Sequence, residues 1–210
     1  MILTHGANSV SVESYPWHTS DVIINSHTYP TVRIKNKIFI RYNLDEPIGS
    51  DDRYYNNDEA TYGWNGYKCG RLYTFTTVES LITSKLQEWG ISEWHVPSQL
   101  ECQEIYEYVK GLVGINSKYM LAKSNSFGNN FPPSPWDGID YFDFSMLPSG
   151  QIYEGRFYNL GSRGCFWLSD RYSSSQAGIV AFEYPKYANW TANGRAGTNE
   201  GFSIRLCKNA

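Results

Sequence analysis

The amino-acid sequence predicts an α+β domain, with two amphipathic helices packed on a small antiparallel sheet and long irregular loops. Three observations carry this. β-Branched alternation is concentrated in residues 22–40, helical spacing of apolar residues in residues 76–114, and from about residue 125 onward short aromatic runs are separated by Gly, Ser and Pro. Strands, then helices, then loops and strands is the order of an α+β chain, not of alternating βαβ units.

Taking the elements in order, residues 1–20 are expected to be an appendage to a domain spanning 21–210, because Ser14-Tyr15-Pro16-Trp17 interrupts a short β-prone start. Such a segment either adds as a strand to another protein's sheet edge or frays. Val22-Ile23-Ile24 to Tyr29 reads as strand, and Asn36 is expected to take the left-handed turn between Val32-Arg33-Ile34 and Ile38-Phe39-Ile40. Residues 45–68, rich in Asp, Asn, Gly and Tyr and without a period, read as a long surface loop. Thr76-Thr77-Val78-Glu79 offers a capping box for a helix that buries Val78, Leu81, Ile82, Leu86 and Trp89 and stops at Gly90. Ser98-Gln99-Leu100-Glu101 opens a second helix with Ile105, Tyr108, Val109 and Leu112 inward and Gly114 at its exit. The prolines of Asn129 to Trp136 hold that stretch extended, and Ile204-Arg205-Leu206 is expected to close the sheet beside the N-terminal strands.

A chain of 210 residues with net charge -3 has the size of one domain and too weak a field to hold a phosphate backbone, so nucleic acid is not an expected partner. The N-terminus lacks the pattern of a secretory signal and no apolar run is long enough to span a membrane, so a soluble product made in the cytoplasm is expected, with no membrane insertion. Cys69, Cys102, Cys165 and Cys207 show neither C-x-x-C nor metal-ligand spacing and read as buried free thiols.

Few residues invite chemistry. Glu101, Glu104 and Glu107 read as a solvated helix face, and His95 as a structural hydrogen-bonding ring. No cofactor and no metal site is expected. Calcium is the one ion that Asp137, Asp140 and Asp143 would suit, but the loop lacks the Gly and bidentate Glu of an EF-hand, and turn or cap duties are the simpler reading. With no nucleophile singled out, the chain is expected not to be an enzyme.

Seventeen Tyr and seven Trp exceed what such a core needs, which points to aromatics at a surface. Between residues 170 and 199, rigid aromatics mix with adaptable polar groups, the combination of a recognition surface. The candidate ligand-binding residues are Arg171, Tyr172, Tyr184, Lys186, Tyr187, Asn189, Trp190, Asn193 and Arg195.

Several blocks in order carry a family resemblance: Val32 to Lys37 with Asn43-Leu44, Gly70 to Phe75, Trp94-His95-Val96-Pro97-Ser98, Phe144 to Gly150, Tyr158 to Gly164, and Gly201-Phe202-Ser203-Ile204-Arg205. From about residue 30 to its end the chain resembles the Fibrobacter succinogenes major paralogous domain family, which is similar to a branch of the C-type lectin-like fold. Cys102 departs from the pattern, standing where the family's second helix usually carries Trp. The resemblance implies a C-type lectin-like module on a phage particle, an adhesin or receptor-binding protein for host-surface glycan or protein. The alternatives are a capsid or tail decoration protein and a bacterial surface adhesin or lectin. It implies a homo-oligomer in the virion, docked to other virion proteins through its N-terminal segment.

Overall fold

Chain-local hairpins open the fold. In the computed structural model, which describes residues 17–114, 116–123, 131, 136–183 and 191–210, β1 (Val22–Ile24) pairs antiparallel with β2 (His27–Tyr29) across a turn in which Asn25 is left-handed, at φ 51°. β3 (Thr31–Ile34) and β4 (Lys37–Ile40) form the expected second hairpin, but the left-handed residue is Lys35, at φ 57°, and not Asn36. In this two-residue loop the first central position takes the left-handed conformation. The last strand, β10 (Cys207–Asn209), pairs with the other edge of β4, so the chain's end does close the sheet that its beginning started. Trp17 and His18 extend that sheet beyond β3: the Arg33 amide donates to the Trp17 carbonyl at 2.6 Å, and Trp17 meets the Phe142 ring edge-on at 4.9 Å. Packing thus begins by Trp17, inside the stretch expected to be appendage; residues 1–16 lie outside the described residues.

Residues 45–68 run largely over the surface, as expected, but they are pinned to the core and hold some regular structure. Asp45, Glu46 and Tyr54 are buried, and the stretch holds a tight turn at Tyr55–Asn57, with Asn56 and Asn57 left-handed, and a short helix α1 (Glu59–Tyr62), capped where Asp58 Oδ1 accepts from the Thr61 amide at 3.0 Å.

The first long helix starts as a π-helical turn, Thr77–Leu81, before becoming α2 (Ile82–Glu88). The capping box expected at Thr76 does not form; the Thr77 hydroxyl donates to Asp52 Oδ1 at 3.1 Å instead. The wider turn leaves Val78, Ile82 and Leu86 inward and turns Leu81 to solvent. In α3 (Gln99–Val113) both halves of the Ser98–Glu101 capping box are made, Ile105 and Val109 are buried, and Leu112, expected inward, is half exposed in the last turn. Gly90 and Gly114 end their helices left-handed, as their positions require.

A third hairpin, β5 (Ser149–Tyr153) with β6 (Arg156–Leu160), precedes the largest sheet, β7 (Arg163–Arg171), β8 (Gln176–Glu183) and β9 (Thr191–Gly197), in that order. Alternation along this sheet separates two cores. Cys165, Trp167 and Ile179 join Val78, Ile82 and Leu86 on one face, while Phe166, Leu168, Val180 and Phe182 join Ile105 and Val109 on the other. The result is a mixed α/β fold of several small antiparallel sheets and few helices, with the central sheet between α2 and α3.

Beside it lies a buried polar knot. Arg205, fully buried, donates to Asn43 Oδ1 at 2.9 Å and to the carbonyls of Phe144 at 2.5 Å and Ser145 at 2.9 Å, with its guanidinium 4.4 Å from the Phe144 ring centre. Asn43 Nδ2 in turn donates to the Cys69 carbonyl and Ser203 Oγ, and Ser203 bonds Ser149. Burial pulls the Arg205 pKa down to about 9, so the group stays charged at neutral pH. Sequence blocks far apart in the chain meet here.

Candidate functional site

The exposed end of β7–β9 is set by a tight connection in which the Tyr172 and Ser173 amides donate to the Gln176 carbonyl at 2.9 and 3.1 Å. Tyr172 is tethered through its hydroxyl to Gln99 Oε1 at the start of α3, and the Arg195 guanidinium lies 4.2 Å from the centre of its ring. Asn193, two residues before Arg195 on β9, is exposed with it. Ring, guanidinium and amide thus share a rigid rim able to stack on and hydrogen-bond a ligand.

Arg171 is placed differently. Its guanidinium makes a two-pronged bond to Glu79, at 2.5 and 2.6 Å, and donates to the carbonyls of Ser173 at 3.1 Å and Ser174 at 2.9 Å. That hydrogen bonding holds the Glu79 carboxyl below its ordinary range and the Arg171 pKa above its own. Arg171 therefore braces the loop that carries Tyr172. Tyr184, Lys186, Tyr187, Asn189 and Trp190 lie outside the described residues.

A second cluster was missed by sequence reading. Glu101, expected in a solvated face, accepts from Lys37 Nζ, from His95 Nε2 at 2.9 Å and from the Ser98 amide at 2.8 Å. Burial opposes its ionisation, but these bonds overcome it and hold Glu101 down at about 2. Cys207 Sγ lies 3.4 Å from the same His95 Nε2. His95, Glu101 and Cys207 have the donor types of a metal site, yet the Lys37 ammonium already neutralises the carboxylate they share. Burial pushes the Cys207 thiol up, and Cys165 to about 12, so neither is a thiolate at neutral pH. Nothing local in the sequence signals that Lys37 returns to Glu101.

Between Asp140 and Asp143 sits Arg41, whose Nη2 is 3.7 Å from one carboxylate and 3.4 Å from the other. Asp140 also accepts from the Ser145 amide at 2.7 Å and hydroxyl at 2.6 Å. Arginine thus supplies the positive charge that calcium would bring.

Neighbouring acids at the start of the 45–68 stretch contrast. Glu46 accepts from Asn25 Nδ2 at 2.9 Å and Tyr29 OH at 3.2 Å and pairs with His27 Nδ1 at 2.6 Å. Asp45 is buried with no hydrogen bond of good geometry from any described residue to either carboxylate oxygen; burial pushes it up to about 6, against the weaker pull of the Tyr54 hydroxyl, Arg71, His27 and the Trp64 amide.

Comparison of the chain with protein-family models, with curated proteins and with solved structures returns no match.

Proposed function

We propose that the protein is a non-enzymatic C-type lectin-like module displayed on a phage particle, an adhesin or receptor-binding protein that recognises host-surface glycan or protein. The observation that carries this reading is the Arg195–Tyr172 stack at 4.2 Å, an aromatic and a cation held at an exposed sheet end. Tethering to Gln99 and the Arg171 brace reduce the ordering cost that binding would otherwise impose. The ordered blocks described above supply the phage and lectin-like parts of the reading, and weak single sites would gain strength from display as a homo-oligomer.

Glycan arrays and binding to a panel of bacterial cells test it with the full chain. Tyr172→Ala and Arg195→Ala, with circular dichroism unchanged, are expected to lose tenfold or more in cell binding. Unchanged binding removes this surface from the proposal, and absence of the protein from purified virions by mass spectrometry removes the phage.

A further inference from the structure

A cleft of about 400 Å³ opens on another part of the surface, within the roughly 300–1,000 Å³ of small-ligand sites. Its floor is made by chain segments laid side by side through backbone pairs: Arg53 with Leu72, Tyr73 with Phe202, and Gly201 with Ile152, the last exchanging two bonds of 2.9 Å. A side chain at position 201 would come within 2.9 Å of Ile152, so glycine is what lets these strands close. Leu72 and Ile152 lie in that floor almost wholly covered, and Ile152 is the apolar side chain that shows. The wall formed by residues 197–200 is braced by Glu200 Oε1 on the Gly197 amide at 2.8 Å and by the Thr198 amide on the Ser175 carbonyl at 3.0 Å.

The polar side chains around it are unspent. Arg53, Asp51, Thr74, Thr76 and Asn199 line the cleft, and none of these side chains hydrogen-bonds or pairs with a described residue. Arg171 and Arg205, by contrast, have their guanidinium groups engaged within the protein. One guanidinium and one carboxylate leave the lining without net charge, which argues against a phosphate or a free cation as ligand. A donor fork, an acceptor pair, the hydroxyls of Thr74, Thr76 and Thr198 and an amide around the edge of Ile152 match a ring with hydroxyls around its edge and C–H groups on its face.

The geometry points to this cleft as a binding subsite for a neutral sugar, with Arg53 donating to and Asp51 accepting from ring hydroxyls. It adds a ligand class and a second subsite to the adhesive reading and rests on that reading for its biological use.

Saturation-transfer NMR of the full chain with glucose, galactose, mannose, fucose and N-acetylglucosamine tests it. At least one sugar is expected to bind, with Kd on the order of 1 mM, and Arg53→Ala to weaken it tenfold or more. Asn199→Ala, at an exposed turn, serves as a second variant should Arg53→Ala misfold. No binding by any of the five, or binding unmoved by either folded variant, overturns the subsite. Cell binding lost in Arg195→Ala but kept in Arg53→Ala, with no sugar bound, overturns the cleft and leaves the recognition surface standing. Sugar binding lost in Arg53→Ala from a wild type that binds no cells supports the cleft and overturns the adhesive reading instead.

Discussion

Arg205 and Asp45 are both buried charged groups, and the fold treats them in opposite ways. Around Arg205, the guanidinium meets an amide oxygen and two carbonyls. At Asp45, no hydrogen bond of good geometry reaches the carboxylate oxygens from any described residue and the pull of the Tyr54 hydroxyl and Arg71 falls short of the cost of burial, although its own amide donates to the Tyr29 hydroxyl at 2.9 Å. The difference teaches that burial alone does not identify a stabilising charge. A charge with bonded partners holds segments together, whereas one without them is a cost carried by the surrounding core.

The hardest blow to this contrast is struck at the knot. Arg205→Met strands Asn43 Oδ1 and two buried carbonyls, and urea unfolding is expected to show a loss of about 3–5 kcal/mol. A loss under about 1 kcal/mol would mean that the knot is not what joins these segments.

Glu101 lies between the extremes, half-buried but bonded. Its folded pKa of about 2 is below the ordinary 4.5, so its contribution is fully present above about pH 4.5 and fades as pH falls toward 2. Glu101→Gln, which also leaves the Lys37 ammonium without a carboxylate and bonded to Asn209 Oδ1, is expected to cost about 2–3 kcal/mol at pH 7 and to flatten the acid limb of stability. An acid limb of unchanged steepness would reassign that limb to other carboxylates.

For Asp45 the sign reverses. Its folded pKa is raised from 3.8 to about 6, so the fold favours the neutral acid: the contribution is fully present below about pH 4 and lost as pH rises through 6. Asp45→Asn is therefore expected to stabilise the protein by about 1–3 kcal/mol at pH 7.5, with the gain vanishing near pH 4. Denaturation midpoints across that range decide it, and a destabilised variant at pH 7.5 would show that Asp45 has a favourable partner after all.

Local elements were readable because their causes are local. Ser98 and Glu101 are three residues apart, and so the capping box and the axis of α3 follow from spacing alone. The same logic failed at Thr76, where Asp52, distant in sequence, takes the Thr77 hydroxyl and the helix opens as a wide turn. Of the proposed recognition residues, Tyr172 and Arg195 meet in the structure, a pairing that residue type alone did not show. That Arg171 turns into the loop depended on Glu79, 92 residues away. The cleft left no sequence signal, since its lining comes from separate segments of the chain.

What the sequence determined by itself was the order of strands and helices and the ends of α3 at Ser98 and Gly114, because periodicity and end chemistry act over a few residues. Tertiary structure alone decided which charges meet: Arg205 with Asn43, 162 residues apart, and Lys37 with Glu101, 64 apart. Long-range pairing depends on where the chain returns after packing, and no spacing along the chain encodes that directly.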